Sequence, residues 1–347
     1  MVSSTALDPA ELGKHLHLFS LPPWNWGELG NVQVRVLKCH RNRSTVEILL
    51  DSAAGPRPLI GKVYAANRSD VYLAMEAISR AGFGPEAEFS IPQPFAYLPA
   101  LNLLLQEKVL GVRAKDIFVE GKERDRAEAA ERCALWLMRF HSVAPRFGPV
   151  FDLNQYLASL EQWTGAIAAV YKPLADKAGC LLERLRAAAA TLGRVEVCAG
   201  HGSFCHAQII LANGRTATYD WDGYDVADPG RDVARFVVAL GRLGLRYFGS
   251  IRALDSAADV FLKTYLAGRG EAQLNLPFYM GAVCVKIAKF EISRDPCPER
   301  QAIVETMLDE GLRILSGFLP PHVGRLQIGR QPAMPPHVGA GGGTRYE

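Results

Sequence analysis

Apolar and polar residues alternate along the first third of the chain in a way that predicts β-strands. Val32, Val34 and Val36 alternate with Gln33 and Arg35, which is the two-residue period of a strand buried on one face. Similar patterns predict further strands at residues 45–50, 59–64, 95–97 and 101–109. We therefore expect a β-rich part at the start of the chain.

One helix is expected to interrupt these strands. Apolar residues recur at i, i+3, i+4 and i+7 from Val71, which is the spacing of one helical face. Ser69 precedes this pattern and is predicted to cap the helix, because a serine hydroxyl can accept a bond from the first free N–H groups. Gly82 and Gly84 are predicted to end it.

Beyond Gly111 the pattern becomes helical, with long runs of the strong helix formers Ala, Leu, Glu and Arg. One β-like segment, residues 195–222, interrupts the helices. After it, Asp228 is predicted to cap a helix that has Pro229 in its first position. The other predicted helices span residues 125–142, 153–171, 176–192, 255–267, 276–292 and 299–315.

These patterns predict an α+β protein with two lobes and a tail. Residues 1–107 are expected to form a β-rich lobe, and residues 108–319 a larger, mainly helical lobe that contains the β-like segment. Residues 320–347 are rich in Pro and Gly and repeat the string PPHVG. Such a composition buries too little apolar surface to offset the entropy lost on ordering, so we expect this tail to be disordered.

Composition and charge exclude several functional classes. The 347 residues carry a formal net charge of +3, which gives no electrostatic basis for binding nucleic acid or an acidic membrane. The chain has no stretch of about 18 uninterrupted apolar residues, and its start lacks the apolar core of a secretory signal. Seven cysteines without regular spacing are typical of reduced thiols. We expect a cytoplasmic protein.

Residues 199–235 contain the pattern with the most chemical meaning. Two short strands are expected to bring a polar loop, with His201 and Gln208, to the same end as the acidic pair Asp220 and Asp222. Carboxylates in such a loop suit Mg²⁺, which is usually held by one or two carboxylates together with substrate phosphates. A surface hairpin with solvated aspartates explains the same pattern without a ligand.

A zinc site is a rival interpretation of this segment. Cys198, His201, Cys205 and His206 are four ligands of the kinds that zinc accepts. Their spacing contains no C-x₂-C pair, two of them are adjacent, and no second pair with zinc-like spacing accompanies them. We therefore rank zinc well below magnesium.

A series of short motifs follows in a fixed order across this segment. They are His201-Gly202-Ser203, Gln208, Asp220-Trp221-Asp222, and Asp228-Pro229 with Asp232. Their order and spacing resemble the aminoglycoside phosphotransferase and choline kinase branch of the protein-kinase-like fold, and His141 matches a Leu-His pattern of that family. The resemblance extends over about residues 30–315. It implies a bilobal kinase-like protein that uses ATP and Mg²⁺ to phosphorylate a hydroxyl of a small-molecule acceptor.

The resemblance also implies roles in the β-rich lobe. Lys62 would hold the α- and β-phosphates of ATP as a point charge. Glu76 is the nearest candidate for the glutamate that pairs with this lysine in many kinases, although it lies outside the apolar face of its helix. Glu107 and Val109 lie on a segment that resembles the hinge strand, and are candidates for nucleotide contacts.

The turn that covers the phosphates departs from the family because residues 38–44 contain no glycine. Arg41 and Arg43 are therefore the candidate phosphate ligands there, since guanidinium groups bind phosphate with two parallel hydrogen bonds. A solvated basic turn is the simpler explanation of the same residues.

The remaining roles fall in the helical lobe, where two residues depart from the family. Asp220 would be the main Mg²⁺ ligand, with Asp222 as a second, and Asp232 would tie down the catalytic loop that holds His201. The metal-binding asparagine of the family is Gln208 here, which offers the same carbonyl oxygen on a longer arm. The catalytic aspartate is Ser203, and a neutral hydroxyl cannot by itself take a proton from an alcohol.

The serine at position 203 is compatible with two functions. Phosphoryl transfer depends mainly on positioning and electrostatics, so the chain can be a working phosphotransferase without the carboxylate. The alternative is a kinase-fold pseudoenzyme that binds nucleotide or a small ligand without efficient transfer. From Gly270 onward the chain has eight acidic and eight basic residues, a balance that disfavours a polycationic antibiotic as the acceptor.

Overall fold

In the part of the chain that the structure describes, five antiparallel strands form an N-terminal sheet. The computed structural model describes residues 8–21, 23–53, 55–268, 275–293 and 295–317, so the predicted tail lies outside it. The strands lie in the order β1-β2-β3-β6-β5. Their bounds are β1 Leu29–Cys39, β2 Arg43–Ser52, β3 Arg57–Tyr64, β5 Pro94–Leu98 and β6 Leu103–Glu107.

One face of this sheet is covered by the start of the chain. Val46, Ile48 and Leu50 alternate along β2 and are fully buried, as the pattern of the sequence predicts. Leu12 and Leu16 pack in the same core cluster. They belong to helix α1 (Pro9–Leu16), which the sequence analysis did not predict.

The first predicted helix is α2 (Ser69–Ile78), but Ser69 does not cap it. Ser69 is its first residue, and the N–H of Ser69 donates to the Asn67 side chain at 2.8 Å. The Asn67 side chain therefore satisfies the N–H of the first residue of the helix, and Ser69 lies inside the helix instead of capping it. A wider turn, Ser79–Phe83, follows the helix and contains Gly82 at a φ of +98°.

Helices make up most of the chain after residue 113. One core cluster surrounds Trp136, which is fully buried, stacks on Phe140 and Phe204, and donates its indole N–H to the Ser90 carbonyl at 3.0 Å. In the described ranges, no helix is long and apolar enough to cross a membrane. The helices are α3 Ala114–Glu120, α4 Glu123–Val143, α5 Leu153–Val170, α6 Ala175–Ala189, α7 Gly230–Phe248, α8 Asp255–Ala267, α9 Leu276–Ile292 and α10 Pro298–Ser316.

The start of α7 differs from the prediction by one residue. Pro229 occupies the cap position instead of the first helical position. The Asp228 carboxylate still accepts a hydrogen bond from the N–H of Gly230 at 2.7 Å. The aspartate therefore caps the helix as expected, one residue earlier than a standard cap.

Two small sheets lie among the helices. The first has the order β4-β10-β9-β7, and the second pairs β11 with β8. Strand β4 comes from the N-terminal part and pairs with β10, so the two parts share a sheet. The strands are β4 Phe89–Ser90, β7 Val112–Arg113, β8 Cys198–Gly200, β9 Ile209–Ala212, β10 Arg215–Thr218 and β11 Asp225–Ala227.

Arg215 joins the N-terminal sheet to this second sheet. Its guanidinium donates to both carboxylate oxygens of Glu107, at 2.6 and 2.9 Å, and also to the hydroxyl of Ser90 and the carbonyl of Ile91. Such a planar, multiply bonded arrangement cannot be reproduced by a lysine. This interaction fixes the end of β6 against β10.

We expect Arg215→Lys to lower the stability of the protein by about 1–3 kcal/mol, because most of these bonds are lost in a partly buried setting. Arg113→Lys is the matched control, since Arg113 bonds Asp116 at an exposed site and exposed pairs contribute about 1 kcal/mol or less. Thermal unfolding of both variants measures the difference. If both variants melt at the same temperature, the bonds of Arg215 contribute no more to the stability of the protein than an exposed ion pair does.

Candidate active site

The centre of the candidate site is an ion cluster between the N-terminal sheet and the loop after β10. Lys62 of β3 is 5% exposed, and its Nζ lies 2.5 Å from Oδ1 of Asp220 and 3.0 Å from Oδ1 of Asp222. Asp220 has a left-handed backbone, with φ of +75°, which non-glycine residues adopt rarely and often at functional sites. The structure thus brings together three residues that the sequence analysis selected.

Further donors surround Asp222. Arg43 forms an ion pair with the Asp222 carboxylate, and its Nη1 lies 3.5 Å from Oδ1 of Asp220. The hydroxyl of Tyr64 donates to Asp222 Oδ1 at 2.7 Å, and Arg68 donates to the Asp222 carbonyl at 3.0 Å. Arg68 also pairs with the Asp70 carboxylate, so Lys62, Arg43 and Arg68 are balanced by three aspartates.

The neighbouring cations determine the protonation state of Asp220. Burial by itself would raise the pKa of the carboxyl, but the charge and hydrogen bond of Lys62, followed by Arg43, outweigh it and hold the pKa well below the ordinary 3.8. Asp220 is therefore a carboxylate at any physiological pH, which is the form that a metal ion requires.

The catalytic-loop residues lie beside this cluster. The Gln208 side-chain nitrogen donates to Ser203 Oγ at 3.1 Å and to Asp220 Oδ2 at 3.3 Å. Ser203 Oγ lies 3.2 Å from Nδ1 of His201, whose Nε2 lies 3.1 Å from the carbonyl oxygen of Tyr219. Ser203 Oγ thus lies between Nδ1 of His201 and the side-chain nitrogen of Gln208, which also donates to Asp220.

The tautomer of His201 follows from these contacts. The Tyr219 carbonyl can only accept, so Nε2 must carry the ring proton and Nδ1 is left to accept from the Ser203 hydroxyl. His201 is fully buried, and this burial lowers its pKa below the ordinary 6.5 despite nearby Asp232 and Asp220. The ring is therefore neutral at neutral pH, and Ser203 has a base as its partner.

Asp232 bonds the backbone of this loop. Its Oδ2 accepts from the backbone N–H of His201 at 2.6 Å and lies 3.4 Å from the ring of His141. Burial opposes ionisation, but the bonds and charges of the two histidines lower the pKa of Asp232 to about 2. The structure thus joins α7, α4 and the catalytic loop through one carboxylate.

Gly202 allows the loop to pass close to its neighbour. It has a φ of +75°, and a Cβ at this position would lie 1.9 Å from the carbonyl oxygen of Gly223. No side chain fits in that space. The backbone of the loop that carries Ser203 is therefore packed directly against the segment after Asp222.

Other predicted site residues lie away from the cluster. Glu76 bonds Arg80 at 3.1 Å, while Lys62 is paired with the two aspartates, so the structure does not bring Glu76 to the lysine. The Glu107 carboxylate is engaged by Arg215, which leaves only its backbone for a nucleotide contact. Val109 is half-buried just beyond β6, and Arg41 is exposed on the turn before Arg43.

The donor set fits magnesium better than zinc. Asp220 and Asp222 present carboxylate oxygens, the preferred ligands of Mg²⁺. Gln208 presents its nitrogen to Asp220 and its Oε1 to the Cys205 thiol, so it becomes a ligand only if the amide turns over. Within the described residues, no group of three or more His, Cys, Asp or Glu side chains could hold a metal ion, so the four zinc candidates do not come together, and His206 bonds the Ala239 carbonyl.

Tyr64 and Arg68 were missed by the sequence analysis. Tyr64 lies two residues after Lys62 on one strand, and residues two apart share a face, so this alternation could have identified it. Arg68 lies in a polar loop before α2 and has no comparable signal. Its contact with the Asp222 carbonyl depends on how the two segments pack.

In this cleft a buried lysine faces two aspartates, and the loop that carries Ser203 lies beside them. A comparison of the sequence with models of protein families agrees with this geometry. A model of the phosphotransferase enzyme family matches residues 51–275, more than half of the chain. The chain belongs to the phosphotransferase enzyme family. A search of curated proteins gave no significant match.

Solved structures support the same fold for this phosphotransferase-family protein. It is similar to a glucosamine kinase in complex with glucosamine, ADP and inorganic phosphate, with a TM-score of 0.63, 16% identity, and coverage of 90% of this chain and 89% of that one. A thermostable mutant of aminoglycoside phosphotransferase APH(4)-Ia gives a TM-score of 0.57 at 13% identity, over 83% and 96% of the two chains.

A third similar structure is a choline/ethanolamine kinase family protein from Mesorhizobium loti, with a TM-score of 0.53 and 14% identity over 90% of this chain and 96% of that one. At these identities the similarity establishes the fold and not the substrate. The kinase-like α+β fold and the family expected from the sequence are both confirmed.

Gly202→Ala is expected to damage the site of this phosphotransferase-family protein. Gly214→Ala is the matched control, because Gly214 also has a positive φ, of +67°, but its Cβ would meet nothing within 4 Å. We expect the control to cost about 1 kcal/mol from backbone strain alone. At Gly202 the clash adds about 1–3 kcal/mol. Thermal unfolding compares the two, and equal losses would contradict the close contact.

Proposed function

We propose that the protein is an ATP-dependent phosphotransferase that transfers the γ-phosphoryl group of ATP to a hydroxyl of a small molecule. The arrangement of Lys62, Asp220 and Ser203 supports this most directly. A buried ammonium group, a carboxylate and a hydroxyl that contacts a histidine nitrogen lie together in one cleft, and in this proposal they bind phosphate, bind the metal and accept the proton. Family membership and the similar kinase structures support the reaction class.

The charge of the cleft favours a magnesium–nucleotide complex over a free metal ion. Lys62 and Arg43 already neutralise Asp220 and Asp222, and Arg68 pairs with Asp70. A bare divalent cation would therefore have to displace these ion pairs without offering the freed cations a new partner, whereas the Mg²⁺–ATP complex brings anionic groups of its own. The phosphates would then replace the aspartates as partners of Lys62 and Arg43.

Magnesium, when bound, would neutralise charge on the phosphates during transfer. Asp220 would hold it, because this carboxylate is ionised at all relevant pH values and part of its surface is open to the cleft. Asp222 would be a second ligand. Gln208 would contribute its carbonyl oxygen after its amide turns over.

In this proposal the acceptor's proton passes through Ser203 to His201. Ser203 Oγ accepts from Gln208, which leaves its second lone pair for the acceptor hydroxyl. As the acceptor oxygen bonds to the γ-phosphorus, the bond to the β–γ bridging oxygen breaks and ADP leaves. The acceptor's proton moves to Ser203 Oγ while the proton of Ser203 moves to Nδ1 of His201.

The surroundings of His201 suit this role. Burial keeps the ring neutral before reaction, since it lowers the pKa below 6.5. The carboxylates of Asp232 and Asp220 stabilise the positive charge that the ring gains. The rate should therefore be constant at neutral pH and fall only as the pH drops below the lowered pKa of His201.

The alternative proposal is a nucleotide-binding protein without efficient transfer. It rests on one observation, that Ser203 stands where the family has a carboxylate and has a buried, neutral histidine as its partner. Nucleotide binding is common to both proposals, so binding and turnover must be measured separately.

We expect Mg²⁺–ATP to raise the melting temperature and Mg²⁺ alone to leave it unchanged. Nucleotide at about 100 times its dissociation constant stabilises a protein by about 2.7 kcal/mol. Asp220→Asn should remove the magnesium-dependent part of this shift, and Asp51→Asn, an exposed position on β2, should retain it. If wild-type protein shows no shift with millimolar Mg²⁺–ATP, both proposals fail.

Ser203→Ala is expected to lower kcat by about 10²–10⁴-fold without changing the Mg²⁺–ATP shift, because only the proton path is removed. Ser203→Asp should turn over at least as fast as the wild type, in contrast to Ser203→Ala. A carboxylate at this position takes the proton directly, and Gln208 can still donate to that carboxylate. ADP production with a panel of hydroxyl compounds measures both variants.

These outcomes separate the two proposals. Wild-type turnover that Ser203→Ala leaves intact would contradict a proton path through the serine. Nucleotide binding with no turnover in wild type, and turnover in Ser203→Asp, would favour the nucleotide-binding protein. The acid side of the wild-type pH profile should disappear in Ser203→Asp or move, because His201 no longer accepts the proton.

A further inference from the structure

A groove of about 430 Å³ lies between helix α3, the start of α4 and the sheet edge at β7, and we call it the α3–α4 groove. Its volume falls in the range of ligand sites, roughly 300–1,000 Å³. Its apolar lining comes from Val112, Ile117, Ala129 and Leu211, and Val112 is 53% exposed. Within the described part of the chain, no residue that lines it belongs to the candidate active site, so the proposed reaction does not account for this groove.

Four carboxylates give the groove a negative charge. Arg132 is the one basic residue among the described residues that line it, and its guanidinium donates to the backbone carbonyls of Ala212 and Arg215. Just outside the groove, Arg113 bonds the carboxylate of Asp116. The lining stays negative even when Arg113 is counted. The four carboxylates belong to Asp116, Glu120, Asp125 and Glu128.

Glu120 and Glu128 form no ion pair with any residue that the structure describes. Both are exposed, and Glu120 is the last residue of α3, where the negative end of the helix dipole disfavours a carboxylate. Arg126 lies two residues before Glu128, but its guanidinium lies over the ring of Phe248 and donates to the Val119 carbonyl. Unpaired negative charge beside exposed apolar surface is the pattern of a surface that binds a basic, partly apolar partner.

Residues 318–347, which follow α10, contain a segment of matching chemistry. They include three arginines and a single acidic residue, Glu347. Between the two PPHVG repeats lies the string RLQIGR, residues 325–330. In an extended chain, side chains two residues apart share a face, so Leu326 and Ile328 would point the same way. The segment thus offers two aliphatic side chains with a guanidinium at each end.

This segment starts within reach of the α3–α4 groove. Glu310, in the last two turns of α10, pairs with Arg252. Four residues after Arg252, Ser256 Oγ lies 3.4 Å from Oε1 of Glu123, the first residue of α4. The gap between α10 and the start of α4 is thus of the order of two helix widths, roughly 20 Å. The chain from residue 317 to residue 325 spans about 27 Å when extended, so it is long enough.

We propose that the α3–α4 groove binds residues 325–330 of the chain's own C-terminal tail. The two arginines would pair with Glu120 and Glu128, and Leu326 and Ile328 would cover the exposed Val112. Docking would then satisfy the unpaired carboxylates and remove apolar surface from water. The inference goes beyond the proposed function and does not depend on it, because no residue of the catalytic cleft takes part.

Trypsin digestion of the full chain tests the docking, because trypsin cuts after arginine and needs an accessible, extended segment. Cleavage after Arg325 and Arg330 should be about tenfold slower in the protein than in a free peptide of residues 318–347, because only the undocked fraction is cut. Cleavage after Arg345, beyond the docked segment, should be equally fast in both. Mass spectrometry of the released C-terminal fragments measures the three rates. About 0.5 M NaCl should weaken the protection, since salt screens exposed charges.

Variants test the groove and the segment separately. Glu120→Gln and Glu128→Gln should each speed cleavage after Arg325 and Arg330. Glu131→Gln is the control, because it removes the same charge from an exposed position of α4 that does not line the groove.

In the tail, Leu326→Ser combined with Ile328→Ser should also abolish the protection, and each tail variant is compared with a free peptide of its own sequence. Val323→Ser combined with Val338→Ser, in the two PPHVG repeats, is the matched control and should keep the protection. These changes leave the described residues as they are, so they separate lost docking from lost folding.

Three results would overturn the proposal. The first is cleavage after Arg325 and Arg330 as fast as in the free peptide. The second is protection that survives in the groove variants or in the Leu326 and Ile328 variant, which would place the tail elsewhere. The third is protection that grows with protein concentration, which would mean that the tail occupies the groove of a second copy and not of its own chain.

Discussion

The buried charge of Lys62 is the constraint on which the cleft depends. An ammonium group that is 5% exposed is costly unless carboxylates lie against it, and the carboxylates come from a loop about 160 residues away in the chain. Asp220 and Asp222 can meet the lysine only if the N-terminal sheet and the β9–β10 unit are held together. The bond between Arg215 and Glu107 holds them at the neighbouring edge.

Another carboxylate, that of Asp232, holds the loop of His201 in place whichever residue stands at position 203. It bonds the backbone of His201, and the loop then passes against the carbonyl of Gly223 where only Gly202 fits. The loop geometry therefore does not need an aspartate beside the acceptor. This explains how a serine can occupy that position while the cluster of Lys62, Asp220 and Asp222 stays intact.

Much of this site follows from local sequence. Lys62 on an apolar strand, the order His201-Gly202-Ser203, Gln208 and Asp220, and the spacing to the next helix are all properties of short segments, and they were sufficient for the fold and the family. Most helices were also predictable, because their apolar period is local. The exceptions are α1 and the exact caps of α2 and α7. Helix α1 packs against the N-terminal sheet, and the two caps depend on the side chains of neighbouring residues.

The sequence by itself determined the fold, the family and the missing aspartate, because these depend on periodicity and on motifs that lie within a few residues. The tertiary structure alone decided which partner each charge has. Glu76 meets Arg80 instead of Lys62, and the orientation of the His201 ring puts its Nδ1 3.2 Å from Ser203 Oγ. Such pairings depend on how distant segments pack, and no local pattern encodes that.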